Sequence, residues 1–236
     1  VALVTFNEGA AQTGNECAID TSQLSQGVVG ASARSDARLK FQVVKGEMSY
    51  NYDLPGDGTP IIVPINMGDG PYTFRVMQNT SGNNYVELFS VIDNVNLSSE
   101  TAPYLVPNVF VNYNESSAVV AKARELAQGA ANQGDVVRNI YQWVVDNITY
   151  DHDKAAQLAS ATGYVPDPDA TLAAGTGICF DYASLGAAML RSLGIPCQVI
   201  TGYVSPDDVY HAWNMVYIDG EWISCLLYTS PSPRDG

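Results

Sequence analysis

Hydrophobic and polar residues alternate along the first part of the chain, from Ile19 to about Leu97. Apolar side chains at every second position form short runs, and the stretches between them (KGE, PGDG, GDGP and SGNN) are rich in turn-forming residues. This pattern predicts an all-β, immunoglobulin-like sandwich over residues 19–97, preceded by a lead-in over residues 1–18. Its charged residues are scattered, so a binding or spacer module is the expected role.

The pattern changes after residue 97. Residues 98–117 contain two prolines and a Ser-rich start, which indicates a linker into a new domain. A helical period follows, and the run GDVVRNIYQWVVDNI places Val136, Ile140 and Val144 on one stripe of an amphipathic helix. The second half of the chain is therefore predicted to be α+β, and the chain as a whole is of the α+β class.

One helix of this core is predicted to be buried. In GTGICFDYASLGAAMLRSLGIPCQVITGYV, residues 175–204, a helix runs from near Cys179 to Leu193 and is apolar nearly all round. Gly194 and Pro196 end it, and a strand follows. Cys179 then lies in the first turn, where unpaired N–H groups favour a thiolate, the nucleophilic form of cysteine. The alternative is a buried Cys that acts as a small hydrophobe, as predicted for Cys197.

A thiolate nucleophile needs a base, and the chain has two histidines. His152 lies between two Asp residues in TYDHDKA, which indicates a polar loop. His211 begins HAWNMVYIDGEWI, a predicted hairpin with Asp219-Gly220 as its two-residue turn. On composition alone, His211 is equally consistent with a half-buried strand residue.

The Cys and His blocks together resemble the transglutaminase-like superfamily. GICFDYASLGAAMLRSLGIPCQVITGY is followed by HAWNMVYIDGEW, in which His211 lies 32 positions after Cys179 (211 − 179). The resemblance covers about residues 105–224 and implies a papain-like Cys-His-Asp core, with Cys179 as nucleophile and His211 as general base. Sandwich modules precede such cores in secreted bacterial proteins.

The resemblance also implies an orienting Asp near position 226. With Ile218 facing Glu221, the hairpin register places residue 226 opposite Trp213, diagonal to His211. The sequence has Leu226 there. The run CLLYTSPSPRD, residues 225–235, closely resembles one reading frame of an adaptor used in transposase-based sequencing libraries. We therefore expect residues 225–236 to be a non-native tail on a truncated core; the alternative is a Ser/Pro linker to a further domain.

Composition limits the classes of partner and cofactor that we expect for this chain. The formal charge of −14, from 11 basic and 25 acidic residues, argues against nucleic acid. No apolar stretch reaches the roughly 20 residues that span a bilayer. Two His and unclustered thiols make a zinc site unexpected, and no cofactor is predicted. The missing initiator Met, few basic residues and a polar Asn/Ser/Gly surface favour an extracellular or cell-surface location.

Two functions remain open from the sequence. The first is a thiol enzyme that acts on protein or peptide amides through a Cys179 thioester, by acyl transfer or hydrolysis, and that is impaired in this form. The second is a non-catalytic secreted surface or interaction protein that keeps the fold.

Overall fold

The computed structural model describes residues 3–204 and 209–225, which divide into two compact units. One comprises residues 4–109, and the other comprises residues 110–225 together with Leu3. The first unit is built from antiparallel sheets and the second from helices and short sheets, so the predicted α+β class is confirmed. Within the described ranges, no helix is long and apolar enough to cross a membrane.

The first unit contains two four-stranded sheets. Their orders are β1-β2-β3-β6 and β5-β4-β7-β8, with antiparallel pairing throughout. The strands are β1 Gln12–Gly14, β2 Cys17–Asp20, β3 Val28–Ala33, β4 Leu39–Lys45, β5 Met48–Leu54, β6 Ile61–Pro64, β7 Gly70–Ser81 and β8 Asn84–Val95.

Alternation along these strands separates a buried face from an accessible one. In β4, Leu39, Phe41 and Val43 are buried while the residues between them are partly exposed, and β7 follows the same rule. The segment 1–18 differs from the predicted lead-in, because β1 and the start of β2 lie within it. Strands of three or four residues are too short to show a period, yet Cys17 pairs with Ala33 and is buried.

The predicted linker is also more structured than expected. Residues 98–117 include a 3-10 turn at Ala102–Tyr104, and the two units divide between Val109 and Phe110. Val106 packs in a small cluster of the first unit, whereas Val111 and Tyr113 join the core of the second. Apolar side chains spaced irregularly along this segment carry no periodic signal, so the sequence pattern did not reveal these contacts.

The second unit packs its helices and sheets around one central helix, α5. Its helices are α1 Ala118–Ala127, α2 Gln133–Asn147, α3 His152–Leu158, α4 Pro168–Ala174 and α5 Cys179–Ser192. Its strands are β9 Thr149–Tyr150 and β10 Thr176–Gly177, which form a parallel pair, and β11 Cys197–Val204, β12 Val209–Ile218 and β13 Glu221–Cys225, which form an antiparallel sheet.

Helix α5 is buried almost completely, as predicted. Every residue from Asp181 to Ser192 is buried, and Gly194 follows with a φ of 81°, a left-handed conformation that suits glycine at a helix end. Residues Ala212, Asn214 and Val216 of β12 are buried too, while the residues between them are half-buried. One face of the sheet therefore carries the buried residues that accompany α5.

Asn214 joins this sheet to α5 through its side chain. Its amide nitrogen donates to the carbonyl oxygens of Ala183 at 2.9 Å and Gln198 at 3.1 Å, and its oxygen accepts from the Tyr141 hydroxyl at 3.4 Å. A fully buried amide with these bonds fixes the helix against β11 and β12 at one point.

We expect Asn214→Ala to lower the free energy of unfolding by about 2 kcal/mol, because it leaves buried carbonyl groups without their donor. Urea unfolding followed by circular dichroism measures the change. Asn147→Ala is the matched control, since its exposed amide also donates one bond, to the Trp143 carbonyl at 2.8 Å. Equal losses in the two variants would contradict the anchoring role of Asn214.

Candidate active site

Cys179 is the first residue of α5, and Ile178 is the N-cap residue. The Cys179 side chain is 8% exposed. The Asp181 carboxylate accepts a hydrogen bond from the Ile178 backbone N–H at 2.9 Å, which satisfies one donor at the helix start. The predicted placement of Cys179 at the first turn of a buried helix is confirmed.

Strand β12 passes close to the Cys179 sulfur. The backbone N–H of Ala212 lies close enough to the Cys179 sulfur to lower the pKa of the thiol, and the Asn214 side-chain amide donates to the Ala183 carbonyl further along the helix. Two residues of strand span about 7 Å and four residues of helix span about 6 Å, so β12 runs alongside α5 in the same direction. This register places His211, one residue before Ala212, at the level of the helix start.

The hairpin that carries His211 has the predicted form. Ile218 pairs with Glu221, the pairing continues to Asn214 with Cys225, and Asp219 and Gly220 have φ values of 52° and 81°. Both central residues are left-handed, as a two-residue turn of type I′ requires. Position 226, where the resemblance implies an Asp and the chain has Leu226, lies outside the described residues, as does the rest of the tail.

The pKa of the Cys179 thiol is raised, which differs from the lowering predicted from its helix position. Burial is the largest cause, because it disfavours the charged thiolate. The backbone N–H groups of Ala212 and Phe180 act in the opposite direction, and the nearby charge of Asp181 raises the pKa further. In this structure desolvation therefore outweighs the donors at the helix start, and the thiol form predominates at neutral pH.

Tyr150 is a residue near Cys179 that the sequence did not single out. It pairs with Gly177 between β9 and β10, and its ring lies 6.2 Å from that of Tyr182 on α5. The pKa of Tyr150 is raised by burial and by the neighbouring Cys179 sulfur, while the Cys179 backbone N–H lowers it. The tyrosine hydroxyl therefore lies at the start of α5. Its short parallel pairing has no sequence signal.

His152, the alternative base, begins α3 and is exposed. Its ring lies 4.8 Å from that of Tyr150, the tyrosine near Cys179. The segment is helical, with Asp151 as its N-cap, and is not the polar loop that TYDHDKA indicated. Asp at the N-cap position is a common helix start, which the sequence reading overlooked.

Asp181 is the second group that the sequence did not identify. It is fully buried and accepts hydrogen bonds from the Lys154 ammonium at 2.8 Å and from the Tyr164 hydroxyl, besides the Ile178 amide. A Cβ on Gly177 would lie 2.8 Å from the Cβ of Asp181, so glycine is needed there. The position of Asp181, three residues after the N-cap, is a capping signal that could have been noticed.

The other three cysteines differ from Cys179 in their burial and in their place in the fold. All four cysteines are free, and Cys197 is fully buried in β11, where burial raises its pKa to about 12. Cys17 is buried in the first unit, and Cys225 is half-buried at the end of β13. In the part of the chain that the structure describes, no three His, Cys, Asp or Glu side chains form a group that could hold a metal ion.

The buried helix α5 thus begins with Cys179 and packs against β12, the strand that carries His211. Residues 120–225 match the model of the transglutaminase-like superfamily, which places this segment of the chain in that superfamily.

Individual relatives match the same region. Cytokinesis protein 3 of Schizosaccharomyces pombe is 33% identical over 120 residues, which cover 45% of this chain and 12% of that protein. Kyphoscoliosis peptidase of Mus musculus is 32% identical over 108 residues, 42% of this chain and 16% of that protein. The periplasmic domain of TgpA from Pseudomonas aeruginosa is a structural match with 15% identity and a TM-score of 0.39, covering 85% of this chain and 71% of that chain. The chain thus spans less than a fifth of the length of these two curated relatives.

Iodoacetamide should label Cys179 at least about tenfold faster than Cys197 at pH 7.5, because Cys179 retains some exposure and Cys197 has none. Because burial raises the pKa of Cys179, its labelling should also accelerate as the pH rises toward 9 and beyond. Tandem mass spectrometry of the tryptic peptides measures both rates within one sample, because fragment ions separate Cys197 from Cys225 on the peptide that carries both. Equal, slow labelling of the two thiols would show that Cys179 is an inert core residue.

Proposed function

We propose that the second unit is a thiol acyltransferase or hydrolase that acts on protein or peptide amides, with Cys179 as nucleophile and His211 as general base. The observation that carries this proposal is the Ala212 amide at the Cys179 sulfur, since it brings the residue next to His211 to the nucleophile. The superfamily match to the same segment supports it.

The proposed reaction has two steps. His211 takes the proton of the Cys179 thiol, and the sulfur attacks the amide carbonyl carbon to form a tetrahedral intermediate. The C–N bond then breaks, the nitrogen takes the proton from His211 and leaves as an amine, and a thioester remains on Cys179. Water or an amine then attacks the thioester, transfers its proton to His211 and restores the thiol, which gives hydrolysis or acyl transfer.

The oxyanion of this intermediate needs donors close to the sulfur. The backbone N–H of Cys179 lies at the start of α5, where the helix dipole also favours negative charge. In the resting structure this N–H interacts with the Tyr150 hydroxyl oxygen. We propose that a substrate carbonyl takes the place of this contact when it binds.

The names of the relatives favour amide chemistry without choosing its outcome. One relative is named a peptidase. Hydrolysis and transfer differ only in which acceptor reaches the thioester, so both belong to the proposal. The proposed location is extracellular or at the cell surface, with the first unit as an immunoglobulin-like accessory module.

A non-catalytic interaction protein is the alternative, and one observation favours it. The Cys179 side chain is 8% exposed and burial raises its pKa, as expected for a thiol with a structural role. A relative named a cytokinesis protein belongs to the same set of matches. Under this alternative, the thiol would be slow to react and independent of His211.

His211→Ala should slow iodoacetamide labelling of Cys179 by about tenfold or more at pH 7, because the thiol loses the base that accepts its proton. Mass spectrometry of the Cys179 peptide measures the rate. Asn139→Ala, an exposed change on α2, is the control and should leave the rate unchanged. An unchanged rate in His211→Ala would favour the interaction protein.

Leu226→Asp should raise turnover of this chain, from weak or none, by about tenfold or more, because a carboxylate can hold the imidazole in the reactive tautomer. Release of peptides from casein and incorporation of a fluorescent primary amine into casein measure the two outcomes. Leu226→Asn should give a smaller gain, and Cys179→Ala should abolish both activities. Robust turnover by the unaltered chain would show that no Asp is needed at position 226.

A further inference from the structure

The carboxylate of Asp181 is buried beside the candidate nucleophile. Its side chain has no exposed surface and lies two residues after Cys179 on the same helix. A buried carboxylate is tolerated when donors and an opposite charge surround it, and Lys154 supplies that charge at 2.8 Å. The Tyr164 hydroxyl and the Ile178 amide complete the set of donors described for it.

Lys154 also connects a surface element to the start of α5. It belongs to α3, which has no buried residue within the described chain, so apolar packing contributes little to holding this helix in place. Its ammonium lies 4.8 Å from the centre of the Tyr164 ring, and that ring lies 6.4 Å from the ring of Phe180. The segment from Lys154 to Tyr164 is thus attached next to Cys179 by one polar cluster, which we call the Asp181 cluster (Lys154, Tyr164, Ile178 and Asp181).

The ion pair affects the pKa of Lys154. Burial alone would lower the pKa of Lys154, but its hydrogen bonds to Asp181 and Tyr164 raise the pKa above its ordinary value. The ammonium is therefore charged at neutral pH. The side chain of Lys154 is one third exposed, so its charge is partly screened by water, whereas the charge of Asp181 is not.

Several titratable groups surround Cys179. Asp181 lies on its own helix, Tyr150 lies on β9 beside it, and His211 lies on β12 next to the Ala212 contact. The β11 residue that pairs with His211 is Gly202, which carries no charge. Among these groups, Asp181 is the fixed negative charge that opposes a thiolate, and Lys154 is its countercharge.

We propose that Lys154 is a positioning residue for the Cys179 nucleophile: it neutralises the buried Asp181 carboxylate two residues along the helix and ties α3 to the start of that helix. This inference rests on the proposed role of Cys179. A thiolate at Cys179 then faces a neutral ion pair in place of an unpaired carboxylate. The first turn of α5 is held by the same contacts, so the amide groups near the sulfur keep their directions.

Two single substitutions should change Cys179 in opposite directions. Lys154→Met leaves the carboxylate without its countercharge, so the midpoint of the pH–rate profile for iodoacetamide labelling should rise by about half a unit to one unit. Asp181→Asn keeps the size of the side chain and leaves the ammonium unpaired near the sulfur, so the midpoint should fall by about as much. Labelling of the Cys179 peptide, measured from pH 6 to pH 11 in the full chain, gives both values.

Two further variants separate charge from structure. Lys154→Met combined with Asp181→Asn removes both charges and should return the midpoint to within about 0.3 units of the unaltered protein. Tyr164→Phe keeps both charges and removes only the hydrogen bonds of the hydroxyl group, so its midpoint should move by less than about 0.3 units. The fully buried Cys197 reports on folding in every sample, because its labelling accelerates if a variant opens the core.

Opposite shifts that cancel in the double variant support the proposed role of Lys154. Shifts in the same direction, or no shift in either single variant with Cys197 still protected, would overturn it. These outcomes are separate from those of the proposed function, because labelling of Cys179 needs no substrate. The midpoints could shift in opposite directions while His211→Ala leaves the labelling rate of Cys179 unchanged. That result would support the inference about Lys154 and reject the proposed enzyme.

Discussion

The second unit depends on how the polar groups of one buried helix are satisfied. Helix α5 lies inside the core from Asp181 to Ser192, yet it carries an acid, a tyrosine, two serines and an arginine. Such groups destabilise a core unless each finds a partner. Asp181 bonds to Lys154, the Tyr182 hydroxyl donates to the Ile148 carbonyl at 2.8 Å, and the Ser184 hydroxyl donates to the Phe110 carbonyl at 2.6 Å. These bonds attach the segments around the helix in one arrangement, which hydrophobic contact alone would leave less specific.

The same burial creates a conflict at Cys179. A nucleophilic sulfur benefits from donors at a helix start, but the core that positions those donors also removes the water that stabilises a thiolate. In the resting structure the desolvation is the larger effect. Transfer of the proton to a base beside the sulfur avoids the need for a free thiolate at rest. The position of His211 at the level of the helix start is consistent with that route.

Sequence patterns predicted the features that depend on neighbours along the chain. The ends of α5, its burial, the Asp219-Gly220 turn and the register from Ile218 to Glu221 follow from local rules, and the structure has each of them. The contacts that decide the reactivity of Cys179 are of another kind. Lys154 and Asp181 are separated by 27 positions, and one lies on a helix without buried residues, so no periodicity connects them. Burial of the sulfur itself depends on the assembled core, which is why the expected lowering of its pKa was wrong.

Asn214 and Asp181 show how stability and chemistry share one helix. Asn214 fixes β12 against the second turn of α5, and the strand then brings Ala212 to the sulfur because the rise of two strand residues nearly equals that of four helical residues. Asp181 accepts from the Ile178 amide at the start of the same helix and from Lys154 of α3. A shift of the strand by one residue would exchange the faces of β12 and remove the Asn214 side chain from its bond to α5. The buried amide therefore sets the geometry of the site, and the buried ion pair sets its charge.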